Sequence, residues 1–237
     1  MKNSTKEIIN EINTYRDESK AAFLPRFFKT GKGEYGEGDQ FIGVVVPNLR
    51  IVAKKHFDAD FDTLRELLAS PYHEYRLTAL LALTYRYAKL KDHASRETCV
   101  NFYVSQVDAI NNWDLVDLSC YKILGHWLFD KDKQLLYDWA KENHLWKQCV
   151  AMISCMHFVK QGEFKDAFAI ADLLQHHPHD LIHKAVGWIL REIGKEDEQL
   201  LVDYLIPRYK KMPRTMLRYA IERFEEGKRK AFLNSMI

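Results

Sequence analysis

An apolar stripe with the period of an α-helix runs through almost the whole chain and constrains its fold more than any other feature. Apolar residues recur three and four positions apart, beginning with Ile8, Ile9 and Ile12, so they share one face of a helix. Further helices are predicted from residue 49 and at residues 61–68, 75–87, 94–107, 113–129, 135–142, 146–161, 164–174, 181–193, 196–209 and 215–226. Because no convincing strand interrupts the series, the pattern predicts an all-α protein.

The later predicted helices also repeat along the chain. Segments that begin at Gln148, Lys184 and Arg218 lie roughly 35 residues apart, a spacing typical of helical hairpin repeats. Such hairpins stack into a curved solenoid, and one helix of each pair lines its concave surface. We therefore predict a single domain over residues 1–237, built as a curved solenoid of helical hairpin repeats.

Composition narrows the class of protein. With 47% hydrophobic and 29% charged residues, the chain can bury a sizeable core, and it has no uncharged apolar segment long enough to span a membrane. Its first residues are charged and amphipathic, unlike a signal peptide, and its four cysteines form no CxxC pair. These features predict a cytoplasmic protein with packed, reduced thiols and no membrane contact. The net charge of +2 excludes a polycation, so any nucleic-acid surface must be a local basic face.

A glycine-rich loop at residues 29–40 is the main departure from helical periodicity, since it holds four of the ten glycines. It lacks the Gly-Lys-Ser/Thr sequence and the preceding strand of a phosphate-binding P-loop. Two interpretations stay open: a mobile connection between the first helices, or a loop that contacts a ligand or the DNA backbone.

Two helical constellations carry chemically useful side chains. Trp113 and Asp117 stand at i and i+4 on one helix face, and Lys184, Trp188 and Arg191 stand at i, i+4 and i+7. Indoles, a carboxylate and basic groups are the parts needed to hold a cationic purine in DNA and to help break its glycosidic bond. Arg214 and Arg218, together with Lys184 and Arg191, are predicted to contact phosphates.

Each of these residues also has a structural interpretation. A tryptophan at helical spacing is usually a core residue, as we expect of Trp127, Trp139 and Trp146. Asp117 could serve as an ion-pair carboxylate, although aspartate is a poor helix former in mid-helix. Asp114, near the predicted helix start, is assigned to the helix dipole. Lys184 and Arg191 could be ordinary solvated cations, and the adjacent Arg191 and Glu192 are not expected to pair.

Two other segments, one rich in histidine and one basic, give weaker evidence of a functional site. The histidines around Pro178 fall between two predicted helices, without cysteines and without an i, i+4 histidine pair on a helix, so no metal site is predicted there. A short basic tail at residues 227–237 is either solvated or one more phosphate contact.

Five motifs, taken in order, resemble those of the AlkD-like DNA alkylation repair proteins, a family of HEAT-like-repeat DNA glycosylases. The similarity runs from about Arg26 to Phe224. The first motif is Thr30-Gly31 followed by Gly33-Glu34-Tyr35-Gly36-Glu37-Gly38-Asp39, and the second is Phe41-Ile42-Gly43-Val44 followed by Val46-Pro47. The third is Trp113-Asp114-Leu115-Val116-Asp117, and the fourth is Gly187-Trp188-Ile189-Leu190-Arg191-Glu192. The fifth is Met212-Pro213-Arg214-Thr215 followed by Leu217-Arg218-Tyr219-Ala220.

The resemblance implies excision of cationic N3- and N7-alkylated purines from double-stranded DNA held in the concave face, without extrusion of the base. It matches Asp117 to the catalytic carboxylate, and Trp113 and Trp188 to the two indoles that face the lesion. It also implies an arginine at the position of Cys149 and a hydroxylated aromatic at the position of Phe27. These two departures bear on rate and lesion range.

The sequence therefore favours a monomeric, cofactor-free DNA-alkylpurine glycosylase. The alternative is a catalytically weak or inactive HEAT-repeat protein that binds damaged or distorted DNA; the lost cation at Cys149 favours it. A protein-binding solenoid is disfavoured, because the helices predicted to line the groove carry Trp, Lys and Arg rather than an apolar surface.

Overall fold

A computed structural model describes residues 4–237, and every regular element in that range is a helix, which confirms the all-α prediction. The chain divides into two compact units, Met1–Ile123 and Leu124–Ile237. The helices of the first unit are α1 (Thr5–Asn13), α2 (Glu18–Phe27), α3 (Val46–Lys55), α4 (Phe61–Leu68), α5 (His73–Lys89), α6 (His93–Ser105) and α7 (Trp113–Cys120). Those of the second are α8 (His126–Leu128), α9 (Gln134–Lys141), α10 (Leu145–Val159), α11 (Lys165–Leu174), α12 (Asp180–Glu196), α13 (Glu198–Leu205), α14 (Arg214–Ala220) and α15 (Glu226–Leu233).

Polar caps define where the helices of the first unit begin. Ser4 forms a capping box with Glu7 at α1, and the side chains of Asp17, Asp60 and Asp92 accept hydrogen bonds from the first turns of α2, α4 and α6. Each cap satisfies a backbone N–H that has no partner within its own helix. Pro47 lies in the first turn of α3, where a proline leaves no helical hydrogen bond unmade.

Helix α5 forms the centre of the first unit and packs against α3, α4 and α7. It is buried from His73 to Thr84, and Leu77, Leu80 and Leu83 are almost fully inaccessible. The largely apolar segment at residues 77–83 is covered on all sides, which explains the central place of this helix. Its second residue, Glu74, is also buried, and its carboxylate accepts hydrogen bonds from the backbone N–H groups of residues 42–44.

Close backbone contacts hold the glycine-rich loop and the segment after it against α2. Gly43 has a φ of +83°, and a Cβ there would lie 1.9 Å from the Asp17 carbonyl oxygen. At Gly36 a Cβ would lie 2.7 Å from the Phe28 carbonyl oxygen. The loop is a series of turns, and Gln40 ends it by bonding to the backbone on either side of Tyr72. Loop 29–40 is therefore folded onto its own unit.

In the second unit, α12 packs against α10 and α14. Gly187 permits the close crossing of α12 and α14, because a Cβ would lie 2.4 Å from the Cβ of Tyr219. Trp139 and Trp146 are buried as predicted. Trp127 is only half-buried, with the Lys131 ammonium 4.2 Å from its ring centroid, so the prediction of a core residue was wrong there.

Three segments differ from the sequence prediction. Helix α2 was not predicted, because none of its residues is buried and it carries no apolar stripe. The helix predicted at 113–129 is interrupted by a π-helical turn at Tyr121–Gly125. The predicted basic tail forms helix α15, because Phe232 is a buried anchor within it.

All four cysteines are buried and free of disulfides, as predicted. Within residues 4–237, no helix is both long and apolar enough to cross a lipid bilayer.

Candidate active site

Trp113 and Asp117 lie on α7, one turn apart, with half-buried side chains. Asn112 starts this helix by accepting a hydrogen bond from the Trp113 backbone N–H at 2.9 Å. The Trp113 indole stacks on Phe28 at a centroid distance of 5.5 Å and an interplanar angle of 20°. Its other neighbour is the edge of Phe27 at 6.0 Å. The i, i+4 prediction thus gives an indole and a carboxylate side by side, and the indole is held by two aromatic rings.

Asp117 has no neutralising partner within the part of the chain that the structure describes. Among residues 4–237, none donates a hydrogen bond or forms an ion pair with its carboxylate. Burial, and then the charge of Asp114 one turn earlier, raise the pKa of Asp117 to about 7. Near neutral pH both protonation states of this carboxyl are therefore populated. Perturbed and unpaired acids of this kind are concentrated at functional sites.

Asp114 has a different environment. It lies in the first turn of α7, as predicted, but its carboxylate is buried and is 2.8 Å from Nε2 of His73. The assignment to the helix dipole alone was therefore incomplete, because the main partner of Asp114 is a histidine from α5. Its Oδ1 atom is buried without a hydrogen-bond partner among the described residues.

The other nitrogen of His73 faces Asp39, at the end of the glycine-rich loop. Nδ1 of His73 lies 3.2 Å from Asp39 Oδ2, and the Arg76 guanidinium donates to Asp39 Oδ1 at 2.6 Å. The side-chain amides of Asn111 and Asn112 also donate to Asp39, at 3.2 Å and 3.4 Å. Burial alone would raise the pKa of Asp39, but the hydrogen bond from His73 and the charge of Arg76 outweigh burial and lower it.

Aromatic rings cover this charged cluster. The His73 imidazole lies 4.7 Å from the Phe28 ring and 5.0 Å from the Phe41 ring, centroid to centroid. On α2, Phe27 and Phe23 continue the aromatic surface into solvent, with 51% and 61% of their surface exposed. Phe27 occupies the position where the family resemblance implies a hydroxyl, and its ring contacts Phe23, Phe28 and Trp113.

Trp188 belongs to the second unit, on α12. It is half-buried, and its Nε1 donates to Glu192 Oε1 at 3.2 Å. Glu192 also pairs with Lys195 at 2.7 Å and lies 3.5 Å from Nε of Arg191. The expectation that the adjacent Arg191 and Glu192 do not pair was wrong, because both long side chains bend towards each other. Arg191 also pairs with Glu222, which lies in the turn after α14.

The remaining residues predicted to contact phosphates differ in whether they already bind a group within the protein. Lys184 forms an ion pair with Asp180 at 2.6 Å, and Arg214 donates to the Leu233 carbonyl oxygen at 2.8 Å. Arg218 is exposed and makes neither a hydrogen bond nor an ion pair with any residue in the described range. Of the four predicted phosphate contacts, it is the one most readily offered to an anionic ligand.

Cys149 lies on α10 with only 5% of its surface exposed. A buried thiol therefore stands where the family resemblance implies an arginine. Around Pro178, His177 and His179 accept hydrogen bonds from backbone N–H groups. Within the described residues, no group of three or more His, Cys, Asp or Glu side chains could hold a metal ion.

Sequence reasoning missed His73, Asp39 and Arg76 as members of the site. His73 and Asp39 are 34 positions apart, and His73 and Asp114 are 41 apart. Separations of this size leave no periodic signal. The available hint was that Asp39 ends the glycine-rich motif, because a tightly turned loop can direct a carboxylate inwards.

Comparison with known proteins gives one family match and a match to a solved structure. The sequence profile of the DNA alkylation repair enzyme family matches residues 8–224. Among solved structures, the chain is similar to one described as a predicted DNA alkylation repair enzyme from Enterococcus faecalis, with a TM-score of 0.68 and 14% identity. That match covers 89% of this chain and 97% of the other, and at this identity it shows the shared fold. No curated protein matches the chain.

Proposed function

The chain belongs to the DNA alkylation repair enzyme family, and from this premise we propose that it is a DNA glycosylase that excises cationic N3- and N7-alkylated purines from double-stranded DNA. One observation carries the proposal. Asp117 is a partly buried carboxylate beside an indole, and no described residue neutralises it. An unpaired acid in such a place is unfavourable for stability, which supports a role in chemistry.

In the proposed reaction, the C1′–N bond to the alkylated purine breaks and its electron pair leaves with the base, whose positive charge is thereby neutralised. The deoxyribose develops oxocarbenium character, and the Asp117 carboxylate stabilises that charge. Water attacks C1′ and gives its proton to Asp117. Since the alkylated base is already a good leaving group, one carboxylate suffices and no general acid or cofactor is required.

The indoles and cations predicted in each unit have binding roles in this proposal. Trp113 and Trp188 offer π faces to the cationic nucleotide, worth about 1–2 kcal/mol each when water is excluded. Arg218 contacts a phosphate directly. Lys184 and Arg191 must first exchange their carboxylate partners for phosphates, so each adds less affinity than Arg218 does.

A second function competes on one observation. The buried Cys149 supplies no cation at the position where the resemblance implies one. A protein that binds damaged or distorted DNA with little excision would keep the same basic contacts and tolerate that loss.

Release of free base from a duplex with a single N7-methylguanine separates the two functions. We expect release by the native protein above the spontaneous rate, loss of release in Asp117→Asn, and unchanged release in Asp108→Asn, which alters an exposed carboxylate of the same unit. Tight binding of the same duplex by all three proteins without release would support the DNA-binding alternative instead.

A further inference from the structure

A chain of four buried charged groups ends next to Asp117. Arg76, Asp39, His73 and Asp114 follow one another through contacts of 2.6, 3.2 and 2.8 Å. All four residues are at least nine-tenths buried. We propose that His73 is a positioning residue for Asp117: its imidazolium, held between Asp39 and Asp114, compensates the Asp114 carboxylate and thereby sets how readily Asp117 ionises. The inference rests on the proposed function only in treating Asp117 as the reacting carboxylate.

The hydrogen bonds themselves require a charged histidine. A neutral imidazole has one N–H donor and one acceptor nitrogen, whereas an ionised carboxylate only accepts. Both ring nitrogens of His73 face carboxylate oxygens, Asp39 Oδ2 and Asp114 Oδ2. Both contacts are satisfied only when both nitrogens carry a proton.

The cluster is neutral only with that proton in place. Asp39 and Asp114 contribute two negative charges, and Arg76 and His73 contribute two positive ones. Because Arg76 and two asparagine amides already serve Asp39, the charge of His73 is directed towards Asp114. Burial alone would lower the pKa of His73, but the charge of Asp114 and hydrogen bonds to both aspartates raise it to about 9.

The coupling to Asp117 runs along α7. Asp114 lies three residues before Asp117, which places the two carboxylates on neighbouring positions of the helix surface. Tyr121 lies one turn after Asp117, and the charges of Asp117 and of Arg50 on α3 both act on the Tyr121 hydroxyl. Tyr121 stays neutral between about pH 5 and 8, because burial raises the pKa of its hydroxyl. Of these groups, His73 and Asp114 therefore form the pair that tunes the Asp117 carboxyl.

Two substitutions give opposite predictions. His73→Gln removes the imidazolium and leaves Asp114 uncompensated, so the acidic limb of the pH–rate profile should move up by about one pH unit or more. Asp114→Asn removes the like charge beside Asp117 and keeps an oxygen to accept from His73, so the same limb should move down by about one unit. A purely structural role would lower the rate of both variants without moving the midpoint.

The double variant tests whether His73 acts through Asp114. In the Asp114→Asn background, His73→Gln should move the midpoint by less than about a third of its shift in the native background. An undiminished shift would show that His73 reaches Asp117 by another route and would overturn the proposal.

The same midpoints can be measured without any activity. We would follow the Asp117 carboxyl by carbon NMR between pH 5 and 9 in the full-length protein, and assign its signal by its absence in Asp117→Asn. Should the protein prove inactive, the upward and downward shifts are still expected here. Midpoints within about 0.3 unit of the native value in Asp114→Asn would contradict the proposal, even if His73→Gln fails to fold.

Discussion

At the scale of single residues, two aspartates of α7 differ sharply in their surroundings. Asp114 has a histidine partner at 2.8 Å, whereas no described residue serves the Asp117 carboxylate. Since burial and the charge of Asp114 raise the pKa of Asp117 to about 7, the folded protein binds its proton more tightly than the unfolded chain does. The burial of the Asp117 carboxylate without a partner, which we propose serves catalysis, therefore destabilises the folded protein at neutral and higher pH.

This destabilisation predicts a pH-dependent effect of Asp117→Asn. The native protein loses stability as the pH rises from about 4, where unfolded aspartate titrates, to about 7, where the folded group does. Asparagine mimics the protonated acid, so the variant should gain about 2–4 kcal/mol over the native protein above pH 7.5 and almost nothing near pH 4. Urea unfolding at several pH values measures this difference. A constant difference across the pH range would contradict the assignment of the raised pKa to Asp117.

The residue scale also shows what the sequence could provide. The i, i+4 spacing of Trp113 and Asp117 was sufficient to place an indole and a carboxylate together, because helix geometry is local. The partners of Asp114 were not predictable, since His73 comes from α5 and the contact depends on tertiary packing. Helical spacing predicted the position of Asp114 in the helix but not its histidine partner.

At the scale of elements, Glu74 connects helix α5 to the segment that precedes α3. Its buried carboxylate accepts hydrogen bonds from the backbone N–H groups of residues 42–44, which have no partner in a helix or a sheet. Glu74→Gln would keep one acceptor oxygen, but it would remove the charge and put an N–H donor where Oε2 now accepts from the Ile42 N–H, so we expect a loss of about 2–4 kcal/mol in the free energy of unfolding. The exposed Glu97→Gln is the matched control, with an expected change under about 0.5 kcal/mol. Equal effects of the two substitutions would rule out the role of Glu74.

Gly43 tests the close approach of α2. Alanine there meets both a positive φ and the Asp17 carbonyl oxygen, so Gly43→Ala should destabilise the protein by about 3 kcal/mol or more. Gly33 also has a positive φ, of 79°, but nothing lies within 4 Å of a Cβ there. Gly33→Ala should therefore cost only about 1–2 kcal/mol. Thermal unfolding of the two variants isolates the effect of the backbone contact, and similar melting temperatures would argue against it.

Elements were predicted well where an apolar stripe exists and poorly where it does not. The prediction at 61–68 coincides with α4, whose buried residues include Leu64, Leu67 and Leu68. Helix α2 buries no residue and contains Pro25, so no apolar stripe in the sequence predicts this helix. The π-helical turn after α7 changes the hydrogen-bonding register without a break in apolar periodicity, and it was read as one continuous helix.

At the scale of the whole molecule, the net charge of +2 leaves the proposed DNA binding to a few local cations. If Arg218 neutralises a phosphate, Arg218→Gln should reduce the slope of log affinity against log salt by about 1, and affinity should fall equally for unrelated duplex sequences. Fluorescence anisotropy with two duplexes between 50 and 200 mM salt, a range of about fourfold, measures both. An unchanged slope would remove Arg218 from the DNA interface.

In the proposed reaction, the Asp117 carboxylate enables release of the alkylated base. The most direct measurement is single-turnover release of N7-methylguanine from a duplex at pH 8, corrected for spontaneous loss, by native protein and Asp117→Asn. We predict a fall of about 100-fold or more in the variant, with duplex affinity kept within about threefold. Equal rates in the two proteins would contradict the assignment of the chemistry to Asp117, and absence of release by the native protein would contradict the glycosylase function itself.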